Sequence, residues 1–109
     1  MSFINISNIK SIEDTCGSLK ELYNSENISL SLATITHDAT PHKHHETEEV
    51  YYILNGQAEI DLDGQQRSVK TGDIVPIPKD TYHHICNIQQ PIRVIVVTHP
   101  RFNPQDVIK

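Results

Sequence analysis

His42, His44, Glu49 and His83 are the side chains of this sequence best equipped for chemistry. Three imidazoles and one carboxylate suit a divalent transition metal and leave coordination positions open for a small molecule. They fall in two spaced signatures, His42-x-His44-x4-Glu49-x6-Gly56 and Gly72-x5-Pro78-x4-His83-x3-Asn87. His42 and His44 lie two apart, so on a strand both project from one face, about 7 Å apart at their Cα atoms, and can converge on one ion. On a helix they would diverge by about 200 degrees. Glu49 follows His44 after a gap that leaves room for a turn or bulge before its carboxylate returns to the same ion, and His83 must arrive from a distant strand. The same alternation turns His45, His84 and Glu48 the opposite way from their neighbours, which sets them aside as ligands. Taken alone, His42 to Glu49 reads equally as a solvated, charge-mixed loop, and an isolated His83 as a surface or structural histidine. It is the second signature that favours a metal site.

The elements that must position these residues read as strands. Ile28, Leu30 and Leu32 alternate with Ser29, Ser31 and Ala33, the period-two pattern of a half-buried strand. Glu49 to Leu54 is rich in aromatic and β-branched residues and stops at Asn55-Gly56, a pair suited to a tight hairpin. Ala58 to Leu62 alternates again, and Asp63-Gly64 supplies a second two-residue turn before Gln65 to Val69. Gly72 to Pro78, Tyr82 to Ile88 and the buried run Ile92 to Thr98 complete seven or eight short strands, with no convincing long amphipathic helix. The class is all-β, either a sandwich or a barrel. A site drawn from two non-adjacent hairpins is easiest to build where strands curve around a shared interior, as in a jelly-roll barrel. Residues 1–27 do not settle helix against strand. A short helical turn followed by a strand near Leu19 to Tyr23 is one reading and a surface arm the other, so the chain divides into an N-terminal arm (1–27), a barrel (28–100) and an extended tail (101–109).

With 109 residues the chain has room for one domain. A formal charge of −5 argues against nucleic acid, whose binders cluster Lys and Arg. Cys16 and Cys86 share no C-x-x-C spacing and read as reduced thiols. The N-terminus lacks a basic segment leading into an apolar stretch, and no run approaches a membrane span, so the expectation is a soluble cytoplasmic protein.

The two signatures, fifteen residues apart between Gly56 and Gly72, resemble the two motifs of the cupin superfamily, in particular its small single-domain members, over about residues 28–100. The resemblance implies a single-domain jelly-roll barrel, the double-stranded β-helix, with His42, His44, Glu49 and His83 as metal ligands and Pro78 and Asn87 as structural positions. It also implies a metal-dependent enzyme of the dioxygenase, isomerase or decarboxylase type acting on a small molecule. The alternative is a binding protein that uses the same ion to anchor a ligand without turnover. Imidazole and carboxylate donors suit Fe, Mn, Ni, Co, Cu or Zn without choosing among them. A metallohydrolase with a His-x-His strand in a (β/α) barrel would need about twice this length. Where the motifs usually carry glycine, this chain has Thr36 and Asp80, and Asp tolerates the left-handed turn conformation. Tyr51 shares the face of Glu49 and offers a phenol to the substrate, or else is a core tyrosine. His37 and His99 sit at strand ends where histidines are commonly exposed, Arg93 and Lys79 are candidates to pair an anionic ligand, and Cys86 reads as packing. Size and resemblance together suggest a homodimer.

Overall fold

The computed structural model describes residues 3–14 and 17–109, so the expectation for Cys16 lies outside the described residues. The strands run β1 (Ile12–Asp14), β2 (Gly17–Asn24), β3 (Ser29–Ile35), β4 (Lys43–His44), β5 (Glu48–Leu62), β6 (Gln65–Lys70), β7 (Ile74–Ile77), β8 (His83–His99) and β9 (Val107–Ile108), with single 3₁₀ turns at Ile6–Asn8 and Pro104–Asp106. The class is all-β and the architecture a jelly roll. Seven strands form one curled antiparallel sheet in the order β1-β2-β3-β8-β5-β6, with β7 added on β5, and β4 and β9 pair separately. Among the described residues no helix is long and apolar enough to cross a membrane.

Two long strands create the barrel. The first half of β5 pairs with β7 and with the end of β8, while its second half pairs with β6 and with the beginning of β8. Between the halves the register slips at Ile53/Asn55, Asn55/Gln57 and Gln57/Glu59, and such irregularities sharpen the bend that folds one sheet over the other. The hairpin expected at Asn55-Gly56 does not form, because β5 continues through it. Gly56 is needed for another reason: its φ is 100°, and a Cβ there would lie 2.2 Å from the carbonyl oxygen of Pro91 on β8. The second expected hairpin does form, with Asp63 and Gly64 both at positive φ between the partners Leu62 and Gln65. The runs Tyr82 to Ile88 and Ile92 to Thr98 are joined into the single bent strand β8.

The interior is filled by alternate residues of both layers, with Ile53, Ile60, Ile85, Ile92 and Val94 essentially inaccessible. Each such side chain contributes about 1.5–3 kcal/mol by leaving water. Within the N-terminal 27 residues, the strand expected near Leu19 to Tyr23 forms as β2, pairs along β3 and buries Leu19 and Leu22, so that segment is hydrogen-bonded into the sheet. The tail also departs from an extended arm. Phe102 donates its N–H to Ser29 Oγ at 3.1 Å, and β9 returns to pair Val107 with His44 and Ile108 with Lys43.

Candidate metal centre

His42 and His83 face each other across a bridge in which His42 N donates to His83 O at 3.2 Å and His83 N to His42 O at 2.9 Å. His44 follows on β4, and Glu49 stands at the start of β5 opposite Ile77 and Thr98. The fold therefore gathers the four residues singled out in the sequence. One candidate ligand atom from each of His42, His44 and His83 lies within 4.8 Å of the others, and the ring centroids are 4.5–5.6 Å apart. Glu49 Oε1 is 3.4 Å from His44 Nε2 and 3.1 Å from His83 Nε2. All four side chains are buried, none more than 6% exposed.

Backbone carbonyls fix the imidazole orientation. His42 Nδ1 donates to Thr40 O at 2.9 Å and His83 Nδ1 to Thr81 O at 2.8 Å. A carbonyl can only accept, so each Nδ1 carries a proton, and in the neutral ring each Nε2 presents a lone pair to the interior. The approach of His83 Nε2 to Glu49 Oε1 thus sets two acceptors against each other, and both atoms are buried without a hydrogen bond. Burial lowers the His42 pKa to about 4, against the raising effect of the Thr40 carbonyl, and lowers that of His44 as well. Burial by itself would raise the Glu49 carboxyl, whereas a proton on His83 Nε2, with charge on His44 and His42, would outweigh burial and hold it below its usual value. Three imidazoles around a buried carboxylate are the donor chemistry of a divalent transition metal, and the residues fit such an ion.

The side chains set aside by alternation point elsewhere. His45 is 69% exposed and its ring bonds Asp80 at 3.0 Å, which raises its pKa and lowers that of Asp80. Glu48, His37 and His99 are exposed and His84 half-buried. Asp80, standing where glycine is usual, adopts a φ of 59° and donates its N–H to His44 O at 2.7 Å, so the turn forms and touches the ligand strand. Tyr51 is buried in the core with its ring 6.1 Å from that of His83. Cys86 is buried, and burial raises its pKa.

Sequence reasoning missed the C-terminal contribution. The Phe102 ring meets His44 edge-on at 6.0 Å, and the Asp106 carboxylate accepts from His45 N at 3.2 Å and Glu46 N at 3.0 Å, closing the turn between His44 and Glu49. A partner some sixty positions away leaves no local signal. Two cavities lie in the barrel wall, neither lined by any of the four side chains. One of about 590 Å³ has Thr40, Phe102, Leu19 and Val107 in its wall, and one of about 430 Å³ opens between β6 and β7.

Fold and site together define a small jelly-roll barrel with an interior imidazole–carboxylate cluster. A cupin domain model matches residues 31–98, and the chain belongs to the cupin family. An uncharacterized protein of Aquifex aeolicus is 29% identical over 93% of this chain and 91% of its own. One of Methanocaldococcus jannaschii is 39% identical over 60% of this chain, and the match spans about half, 53%, of that relative. The pectin degradation protein KdgF of Dickeya dadantii is 31% identical over 47% of this chain and 46% of its own. Among solved structures, a protein from Planctomyces limnophilus superimposes with a TM-score of 0.90 at 25% identity over 100% of this chain and 96% of that one. KdgF from a Halomonas species does so at 0.85 and 20% identity, covering 96% and 98%, a likeness of fold.

Proposed function

We propose that the protein is a metal-dependent enzyme acting on a small, oxygen-rich molecule, of the dioxygenase, isomerase or decarboxylase type, with one divalent transition ion held by His42, His44, Glu49 and His83. The observation that carries the reading is the pair of buried, facing acceptors on His83 and Glu49, which calls for a cation between them. Such an ion, when bound, supplies Lewis-acid polarisation of a carbonyl or, if redox-active, a route to dioxygen. The chain does the rest. The Thr40 and Thr81 carbonyls keep the imidazoles in the tautomer that faces inward. The surrounding core excludes water and so strengthens every charge interaction at the site. Tyr51, beside His83, is the candidate to hold or move a proton on the substrate. The relative named for pectin degradation supports an oxygen-rich substrate.

A second reading, a binding protein without turnover, draws on the make-up of the surroundings. Of Phe102, Leu62 and Tyr51 beside the cluster, Tyr51 alone can ionise. The two separate by assay. Hydroxy and oxo acids screened against iron-, manganese-, nickel- and zinc-loaded protein, with and without oxygen, should yield a ligand that both stabilises the protein and is converted. Stabilisation without product under every condition would establish the binding reading instead.

The outer sheet face supports assembly as a homodimer. Tyr52 aligns with Ile74 and Ile95, and Val50 with Pro76 and Val97, giving two apolar rows in which Val50, Tyr52 and Ile74 are 38%, 42% and 57% exposed. Glu48 lies at one end of that face and Arg93 at the other. A two-fold axis running across the strands would bring Glu48 of one copy toward Arg93 of the other, a charge pairing that would suit a second copy on this face.

A further inference from the structure

The three imidazoles of the cluster are not held alike. His42 and His83 each give an Nδ1 proton to a backbone carbonyl, Thr40 O at 2.9 Å and Thr81 O at 2.8 Å. His44 turns Nε2 into the cluster, 3.4 Å from Glu49 Oε1, and its Nδ1 is buried with no hydrogen-bond partner. A histidine that binds a metal ordinarily passes its second N–H to a carboxylate, a carbonyl or water, which fixes both the tautomer and the ring plane. His44 lacks that brace. Its backbone is clamped, since His44 O accepts from Asp80 N at 2.7 Å and β4 pairs His44 with Val107 on β9. Those bonds hold the Cα atom and leave the torsions of the side chain to be set by what packs against the ring.

Phe102 packs there. Its ring centroid lies 6.0 Å from that of His44 with the planes at 78°, the separation and tilt of an edge-to-face pair. His42 and His83 also meet the His44 ring, but they are themselves candidate ligands. Phe102 has a fixed base on the barrel. Its N–H donates to Ser29 Oγ at 3.1 Å, and the Ser29 hydroxyl bonds that of Thr98, which is the partner of Ser29 on one side and of Glu49 on the other. The ring that meets one candidate ligand is therefore mounted on the row that carries another. Phe102 also borders cavities of about 590 and 360 Å³, so open space rather than a second side chain adjoins it, and loss of the ring would leave His44 unsupported.

We propose that Phe102 is the positioning residue of His44: its ring does for that imidazole what the Thr40 and Thr81 carbonyls do for the other two, so the orientation of His44 depends on the C-terminal tail. This rests on the metal reading above. Cobalt(II) serves as the probe, because its unpaired electrons displace the proton resonances of the rings that bind it. Cobalt content is measured first. In the unaltered protein the displaced spectrum in water should hold ring N–H signals from His42 and His83 that exchange slowly with solvent, and a third, faster one from His44. Phe102→Ala should move or erase the third signal, leave the other two in place, and speed the loss of cobalt to excess chelator by at least about tenfold. Phe102→Tyr, which keeps the ring, should restore the third signal and bring the rate of loss within about twofold of that of the unaltered protein. Three equally protected signals before substitution, movement of all three or of none in Phe102→Ala, or Phe102→Tyr as damaged as Phe102→Ala overturns the Phe102 assignment alone. A protein that takes up no cobalt overturns the metal reading, and this proposal with it.

Discussion

His83 Nε2 and Glu49 Oε1 meet at 3.1 Å inside the barrel with no hydrogen bond between them, and in the neutral His83 ring, whose Nδ1 proton is held by the carbonyl of Thr81, they are two lone-pair acceptors. Two buried acceptors at that distance repel unless a cation lies between them. Removing either should therefore be felt in metal binding before it is felt in folding. His83→Ala and Glu49→Gln should each weaken nickel or zinc affinity by at least about tenfold, measured by competition with a chromogenic chelator, with far-UV circular dichroism unchanged. Full-stoichiometry, tight metal in both variants would remove them from the site.

Metal removal should lower stability in proportion to occupancy. At a free ion concentration about 100 times Kd the linked stabilisation is about 2.7 kcal/mol, which for a domain of this size is a shift in Tm of about 10 °C or more. Differential scanning calorimetry with and without a chelator reads it directly, and identical transitions would contradict a native-state site.

The metal-free protein should be acid-sensitive with a definite sign. His42 has a folded pKa of about 4 against 6.5 for the free side chain, so the unfolded chain binds the extra proton between these values and stability rises with pH across that window. His42 stability is present above about pH 6.5 and lost as pH falls toward 4, on the order of 3 kcal/mol. Glu49, also lowered, acts in the same sense at lower pH. The raised pKa of His45 has the opposite sign, but that residue is exposed and screened. Urea titrations of chelated protein between pH 7.5 and 4.5 check this, and a flat profile would contradict it.

Asp106 should act on the metal through backbone. Its carboxylate accepts the N–H groups of His45 and Glu46, the two residues that follow His44 into the turn toward Glu49. Asp106→Ala should weaken metal affinity by about tenfold, and Asp106→Asn, which keeps an acceptor, should recover most of it. Equal affinity in all three proteins would make the tail irrelevant to the site.

The apolar outer face should hold two copies together. Tyr52→Glu places a charge at its centre and should convert a dimer to a monomer by light scattering at micromolar concentration, with metal content retained. A monomer before substitution would dispose of the interface.

What the sequence revealed depended on whether the responsible physics was local. Strand parity put His42 and His44 on one side and His45 on the other, and the structure agrees, because alternation is a property of the extended backbone itself. Asp63-Gly64 was legible as a turn for the same reason, since both residues favour positive φ. Asn55-Gly56 carries the same signal and was misread. The demand on Gly56 comes from the Pro91 carbonyl of another strand, and tertiary contact decides what local propensity leaves open. The parts played by Thr40, Thr81, Phe102 and Asp106 rest on backbone groups or on distant pairing, which no residue type announces.

The claim on which the rest depends is that His42, His44, Glu49 and His83 bind one transition ion. Elemental analysis of untagged protein, purified anaerobically without added metal, tests it most directly. The account predicts close to one equivalent of a single transition metal per chain, retained through dialysis and lost in His44→Ala. Substoichiometric metal that neither added iron, manganese, nickel nor zinc can raise, or full metal retained in His44→Ala and His83→Ala alike, would contradict it.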